Sequence, residues 1–189
     1  MRNIFLPLCF CGLIILFACG ENSNEFSSVA CFVQVDNRDH NNSTLASAMN
    51  PMAPGVFCLV QSTQQGGALY FRFKNNQGSQ SSSIFNGKDQ RMTFIFGYNN
   101  GVIVGFGNLD SPAVFYAYDY QCPNCFDWQT IPRKNYPLSM SADGTAACNV
   151  CKRVYNMNTG GNIVKGDGGN KLTRYRASTT GPLGILNVH

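Results

Sequence analysis

At 189 residues the chain is long enough for one domain with a sizeable core, and only 13% of it is charged. The net charge of +4 rests on 14 basic residues scattered without a stripe, which excludes the electrostatic footprint of a nucleic-acid binder. Two histidines leave little for imidazole chemistry, and low charge with frequent Gly, Asn and Ser is the balance of an exported β protein.

In chain order, Met1-Arg2-Asn3 gives a short positive start to an apolar run from Ile4 to Ala18. About 15 apolar residues fall short of the ~20 that span a bilayer, so residues 1–18 read as a signal peptide. The run ends in Leu16-Phe17-Ala18-Cys19, which resembles a bacterial lipobox and makes Cys19 the lipid attachment point. Such an anchor predicts a membrane partner and an extracytoplasmic place in a bacterial cell envelope. Residues 19–50 read as a polar tether or arm, with at most a turn or two of helix near Ser43 to Met49. The folded domain is expected over 51–189.

Within that domain the hydrophobic period is two, clearest in Ala68 to Lys74, where Leu69, Phe71 and Phe73 share a face. Further short strands are predicted at Phe57 to Gln61, Met92 to Tyr98, Val102 to Phe106, Val114 to Tyr118, Val154 to Met157, Leu172 to Ala177 and Leu183 to Val188. Turn-forming stretches such as Asn99-Asn100-Gly101 and Gly166-Asp167-Gly168-Gly169 separate them, while Asn75 to Lys88 reads as a long flexible loop. The fold class is all-β, an antiparallel sandwich or barrel.

Nine cysteines carry most of the chemistry. Cys9 and Cys11 fall in the signal and Cys19 is on lipid, leaving six. Cys31 and Cys58 lie in apolar strand-like segments and are either a disulfide or two buried thiols. The other four form Cys122-Pro123-Asn124-Cys125 and Cys148-Asn149-Val150-Cys151, on loops 119–130 and 146–153. Two Cys-x-x-Cys pairs on separate loops suit a tetrahedral thiolate site for zinc, a single iron or a [2Fe–2S] cluster, and two disulfides are the competing arrangement. Export of an unfolded chain favours zinc, which binds thiolates without assembly machinery. A closed zinc site of four cysteines is structural rather than hydrolytic. No helix follows either pair to activate a thiol, so a thiol–disulfide enzyme is disfavoured. No catalytic constellation appears: Asp119 and Asp127 read as solvated carboxylates, and Trp128 with Tyr116, Tyr118 and Tyr120 as core aromatics.

The succession from Val114-Phe115-Tyr116-Ala117-Tyr118-Asp119 into Cys122-Pro123, a second cysteine loop, an aromatic strand, Thr159-Gly160, a glycine-rich stretch and Leu172-Thr173-Arg174-Tyr175 resembles the Rieske domain. The resemblance covers about 101–188 and is closest to the lipoprotein-type Rieske-like proteins of Bacteroidetes. It implies that Cys122 and Cys148 occupy the positions of the cluster cysteines. Asn124 and Cys151 stand where the family's histidines would be, so the chain departs from a cluster held by two histidines and two cysteines toward an all-sulfur site. These readings give a membrane-anchored, non-catalytic binding module with zinc at Cys122, Cys125, Cys148 and Cys151. Its alternatives are an iron-bearing electron carrier and a disulfide-stapled domain, and it leaves room for a protein partner. The 22 residues between Cys125 and Cys148 are expected to fold over the site.

Overall fold

The computed structural model describes residues 25–189. The expected signal segment 1–18, Cys19 and the start of the tether lie outside the described residues. In chain order the elements are β1 (Val33–Asp36), α1 (Asn37–His40), α2 (Ser43–Ala48), β2 (Phe57–Gln65), β3 (Ala68–Asn75), β4 (Gln80–Ile84), a 3-10 turn at Asp89–Arg91, β5 (Val102–Phe106) and β6 (Phe115–Asp119). There follow β7 (Leu138–Met140), β8 (Thr145–Cys148), β9 (Val154–Asn156), β10 (Asn162–Lys165), β11 (Arg174–Tyr175), β12 (Ala177–Thr179) and β13 (Ile185–Val188).

The strands form three antiparallel sheets: six strands ordered β11-β6-β5-β2-β3-β4, four ordered β10-β9-β8-β7, and three ordered β1-β13-β12. None closes into a barrel, and the all-β class holds as a layered sandwich. The apolar run Phe57-Cys58-Leu59-Val60 explains the layering. Alternate side chains of a strand point to opposite faces, and this strand is buried on both. Cys58 and Val60 join Val102, Val104 and Ala117 in a core shared with β1, α2 and β13. Phe57 and Leu59 join Ile103, Tyr116 and Tyr118 in a second core against the four-stranded sheet. Cys122 and Cys148 belong to this second core.

Several expectations need correction. The arm expected over 19–50 is, from Val33 onward, part of the domain: β1 pairs with β13, and Val33, Val35, Leu45 and Met49 are buried. Four strand residues among polar neighbours give too short an alternation to stand out. The helix near Ser43 to Met49 does form, started by the Asn42 side chain accepting from the Leu45 N–H at 3.1 Å. The flexible loop expected over Asn75 to Lys88 contains β4, whose serines pair along β3; at a sheet edge the backbone supplies the bonds, and no apolar pattern is required. The strand expected at Met92 to Tyr98 is a single bridge between Phe32 and Ile95. Its aromatics serve packing instead, with Phe94 edge-on to both Phe71 and Phe85. Leu172 to Ala177 divides into β11 and the start of β12, which belong to different sheets.

Cys31 and Cys58 are not bridged; both are buried free thiols. Burial pushes each up to about 12, so they behave as small apolar groups of the first core.

Candidate metal centre

The first cysteine loop leaves the end of β6, and its entry angle is set by Asp119. This carboxylate is fully buried, not solvated as its type suggested. It accepts from the Tyr98 N–H at 2.8 Å, the Gln121 N–H at 2.7 Å and the Tyr175 hydroxyl at 2.7 Å. Burial raises its pKa above the ordinary carboxylate value, against the pull of those three donors. Gly97 is there because φ is +63° and a Cβ would run into the Asp119 carboxylate. Beyond Gln121, the Cys122 N–H donates to the Tyr136 carbonyl at 2.8 Å, and the Phe126 N–H returns to the Cys122 carbonyl at 2.9 Å. The result is a tight turn with both sulfurs on one side.

The second loop joins β8 to β9 in the four-stranded sheet. The Cys148 N–H donates to the Arg153 carbonyl and the Lys152 N–H to the Cys148 carbonyl, each at 3.0 Å. Lys152 closes the turn at φ +61°, in the left-handed region a side chain rarely adopts. The two loops therefore come from two sheets that face each other across the second core.

There all four cysteines meet. Their Sγ atoms lie within 4.8 Å of one another, with Cys122 to Cys151 at 3.7 Å and Cys125 to Cys148 at 3.8 Å. None is in a disulfide. Cys122 and Cys148 are buried, and Cys125 and Cys151 are half-buried. A regular tetrahedron with metal–sulfur bonds of about 2.3 Å has edges of about 3.8 Å, so the donor set fits one metal ion. The sequence singled out these four residues correctly as a potential metal site.

Electrostatics around the sulfurs is uneven. Burial pushes the Cys122 thiol up, while the Tyr155 hydroxyl, 3.2 Å from its Sγ, and the Asn124 N–H pull it back. Burial and the neighbouring Cys151 and Cys148 thiols push Cys125 up more strongly. Burial also acts upward on Cys151, but bonds from the Arg153 backbone and guanidinium outweigh it and hold that thiol at about 6.

A supporting layer was not evident from sequence. Asn124, at the position where the Rieske resemblance would place a histidine, donates to the Tyr155 hydroxyl at 2.9 Å and to the Asn170 carbonyl at 2.8 Å. The glycine-rich stretch serves as a backbone cradle: the Asp167 and Gly168 carbonyls each accept from Arg153 at 3.0 Å. The signal available was the glycine content alone, which allows close approach but does not say to what.

The segment between the cysteine pairs does return to the site. Gln121 pairs with Pro137, and the Leu138 N–H reaches the Tyr120 carbonyl at 2.9 Å before β7 joins the second sheet. Trp128 is not a core aromatic but is 56% exposed, walling a cleft beside Cys122. Tyr116 and Tyr118 are core, as expected. Neither His40 nor His189 belongs to the cysteine cluster; His40 is buried beside Asp89 and edge-on to Phe71.

No protein-family model matches this chain, and no curated protein is significantly similar to it.

Proposed function

We propose that the four cysteines hold one zinc ion, clasping two sheets of a non-catalytic binding module that a lipid on Cys19 anchors to a bacterial envelope membrane. The observation that carries the reading is the closeness of all four Sγ atoms, within 4.8 Å. A [2Fe–2S] cluster divides its cysteines between two irons and spreads them along the iron–iron axis, which suits so compact a set less well. Zinc needs no redox partner or assembly machinery, and a closed four-thiolate shell leaves no position for substrate water. The anchor rests on the apolar run to Ala18 and on Cys19 behind it. The Rieske resemblance, which rests on the order of the motifs, is kept as the proposed ancestry of the domain, with the histidine positions given over to Asn124 and Cys151.

A single iron is the second reading. Two half-buried sulfurs and N–H···S bonds at Cys122 and Cys151 are features that would let a mononuclear iron exchange electrons near the surface. Metal analysis with a visible spectrum decides between them. One zinc per chain and no colour, lost in Cys122→Ser or Cys148→Ser, is expected. One iron with thiolate charge-transfer bands would replace zinc with the electron carrier, and metal-free protein without free thiols would overturn both.

A further inference from the structure

Between the first cysteine pair and β7 the chain makes a loop that neither core takes up. Residues 127–135 are all exposed, and the two large apolar side chains among them stand clear of the domain, Trp128 at 56% and Ile131 at 92% exposure. A single exposed apolar residue is ordinary, but an indole and an isoleucine followed at once by cations have the composition of a segment made for a membrane interface. Those cations are Arg133 and Lys134, and among the described residues neither pairs with a carboxylate. The one acid of the loop, Asp127, is occupied within it, accepting from the Gln129 N–H at 2.8 Å and the Thr130 hydroxyl at 2.9 Å. Arg133 Nε donates to the Trp128 carbonyl at 3.3 Å, which holds the apolar and the basic residues in one compact turn.

The place of the loop decides what it meets. Trp128 and Arg133 share the walls of a hollow with Val29 and Ala30, so the loop stands beside the first described residues of the chain. From Glu25 only five residues run back to Cys19, a reach of about 20 Å at full extension. A lipid on Cys19, the anchor proposed above and the reading on which this inference rests, therefore holds a bilayer close to the loop. Lys171 borders both the hollow at Glu25 and Ser27 and the cleft walled by Trp128, and adds a third cation without a carboxylate partner among the described residues. A bilayer interface takes indole rings at the headgroup level, an aliphatic side chain beneath them and Lys or Arg against anionic phosphates. A soluble partner would have to compete for these residues with a surface that the anchor keeps permanently within reach.

We propose that the loop 127–135 is a membrane foot: Trp128 and Ile131 enter the interface of an anionic bilayer, with Arg133, Lys134 and Lys171 against its phosphates. Trp128 is the only tryptophan of the chain, so its emission reports the insertion directly. The full-length protein, purified with its metal in detergent, is reconstituted into vesicles of equal parts phosphatidylglycerol and phosphatidylcholine, the latter with or without bromine on its acyl chains. Emission is expected to move to shorter wavelength in the vesicles and to be quenched by the brominated lipid. Ile131→Asp, at a position with no packing to lose, should keep metal content and thermal unfolding and cut the quenching about threefold or more. Arg133→Ala and Lys134→Ala should each lower the ratio of inserted to free loop about fivefold, and vesicles of phosphatidylcholine alone should lower it further. The mass of the N-terminal peptide reads the lipid on Cys19 in the same samples. Lipidated protein that floats with the vesicles while Trp128 stays unquenched, or is quenched equally in Ile131→Asp, overturns the foot and leaves the anchor standing. Cys19 without lipid overturns the anchor, whereas quenching in protein that still floats, relieved by Ile131→Asp, upholds the foot; protein that does not float overturns both. A blue shift that grows with protein concentration in detergent alone would give this face to a second copy of the chain instead.

Discussion

The cysteines of this site are chemically unequal, although they sit in two copies of one short motif. Arg153 lowers the pKa of Cys151 below that of an ordinary thiol, whereas Cys122 and Cys125 hold their protons more tightly than one. A metal ion is therefore expected to attach first at Cys151 and to displace protons from the others. Each displaced proton makes loading weaker as pH falls. The apparent metal affinity, measured by competition with a chromophoric chelator, should drop steadily from pH 8 to pH 6; an affinity independent of pH would show that the thiols are already ionised. Tyr155→Phe removes a hydroxyl that meets Cys122 Sγ and accepts from Asn124. It should cost about 1–3 kcal/mol in denaturant unfolding of the metal-loaded protein and leave the sulfur set intact. The four ligands were legible from spacing alone, because two sulfurs three residues apart on a turn must converge. Asn124, Arg153 and Tyr155 were not, since residues of these types mark no chemistry until the fold brings them within reach of sulfur.

At the scale of elements, each cysteine pair is shaped by a backbone turn. Lys152 holds φ at +61°, a conformation that strains a residue with a Cβ, so Lys152→Gly should leave metal binding unchanged and stabilise the protein by about 0.5–1 kcal/mol. Lys152→Val should do the reverse, with both effects read as shifts in the denaturation midpoint; equal stability of the two variants would mean that the turn is not what holds the second loop. Strands were legible where side chains carry the pattern: β3, β5 and β6 are rich in aromatic or β-branched residues. Leu69 still proved exposed although it shares a period with Phe71 and Phe73, because β3 runs past the edge of the core. β4, β7 and β8 were missed because their pairing lies in the backbone, which serines and alanines do not advertise. The aromatic run at 92–98 misled for the opposite reason, since its rings are packed without a ladder behind them.

For the molecule as a whole, the central sheet is covered on both faces, and one cover comes from residues that read as a tether. Val33, Val35, Leu45 and Met49 are each buried to within 1% exposure. At about 1.5–3 kcal/mol per such side chain, their loss is comparable to the entire stability of a small domain. A chain lacking residues 25–50 should therefore fail to fold, seen as loss of cooperative thermal unfolding, whereas domain boundaries drawn at residue 51 would predict an intact core. Sequence could not show this, because the partner of β1 is β13 at the far end of the chain.

The first described residues are tied to β11 and to the surface beside the cysteine loops. Glu25 pairs with Arg174, Phe26 lies under the guanidinium groups of Arg174 and Arg176, and the Ser27 N–H donates to the Arg174 carbonyl at 2.7 Å. Glu25 and Ser27 border a hollow that shares Tyr98, Asn170 and Lys171 with the cleft beside Cys122. Only five residues lie between Cys19 and Glu25, a reach of about 20 Å even at full extension. With the anchor proposed at Cys19, the domain would be moored with its four-cysteine end near the headgroups, and any partner of that end would be met by diffusion in two dimensions along the bilayer surface.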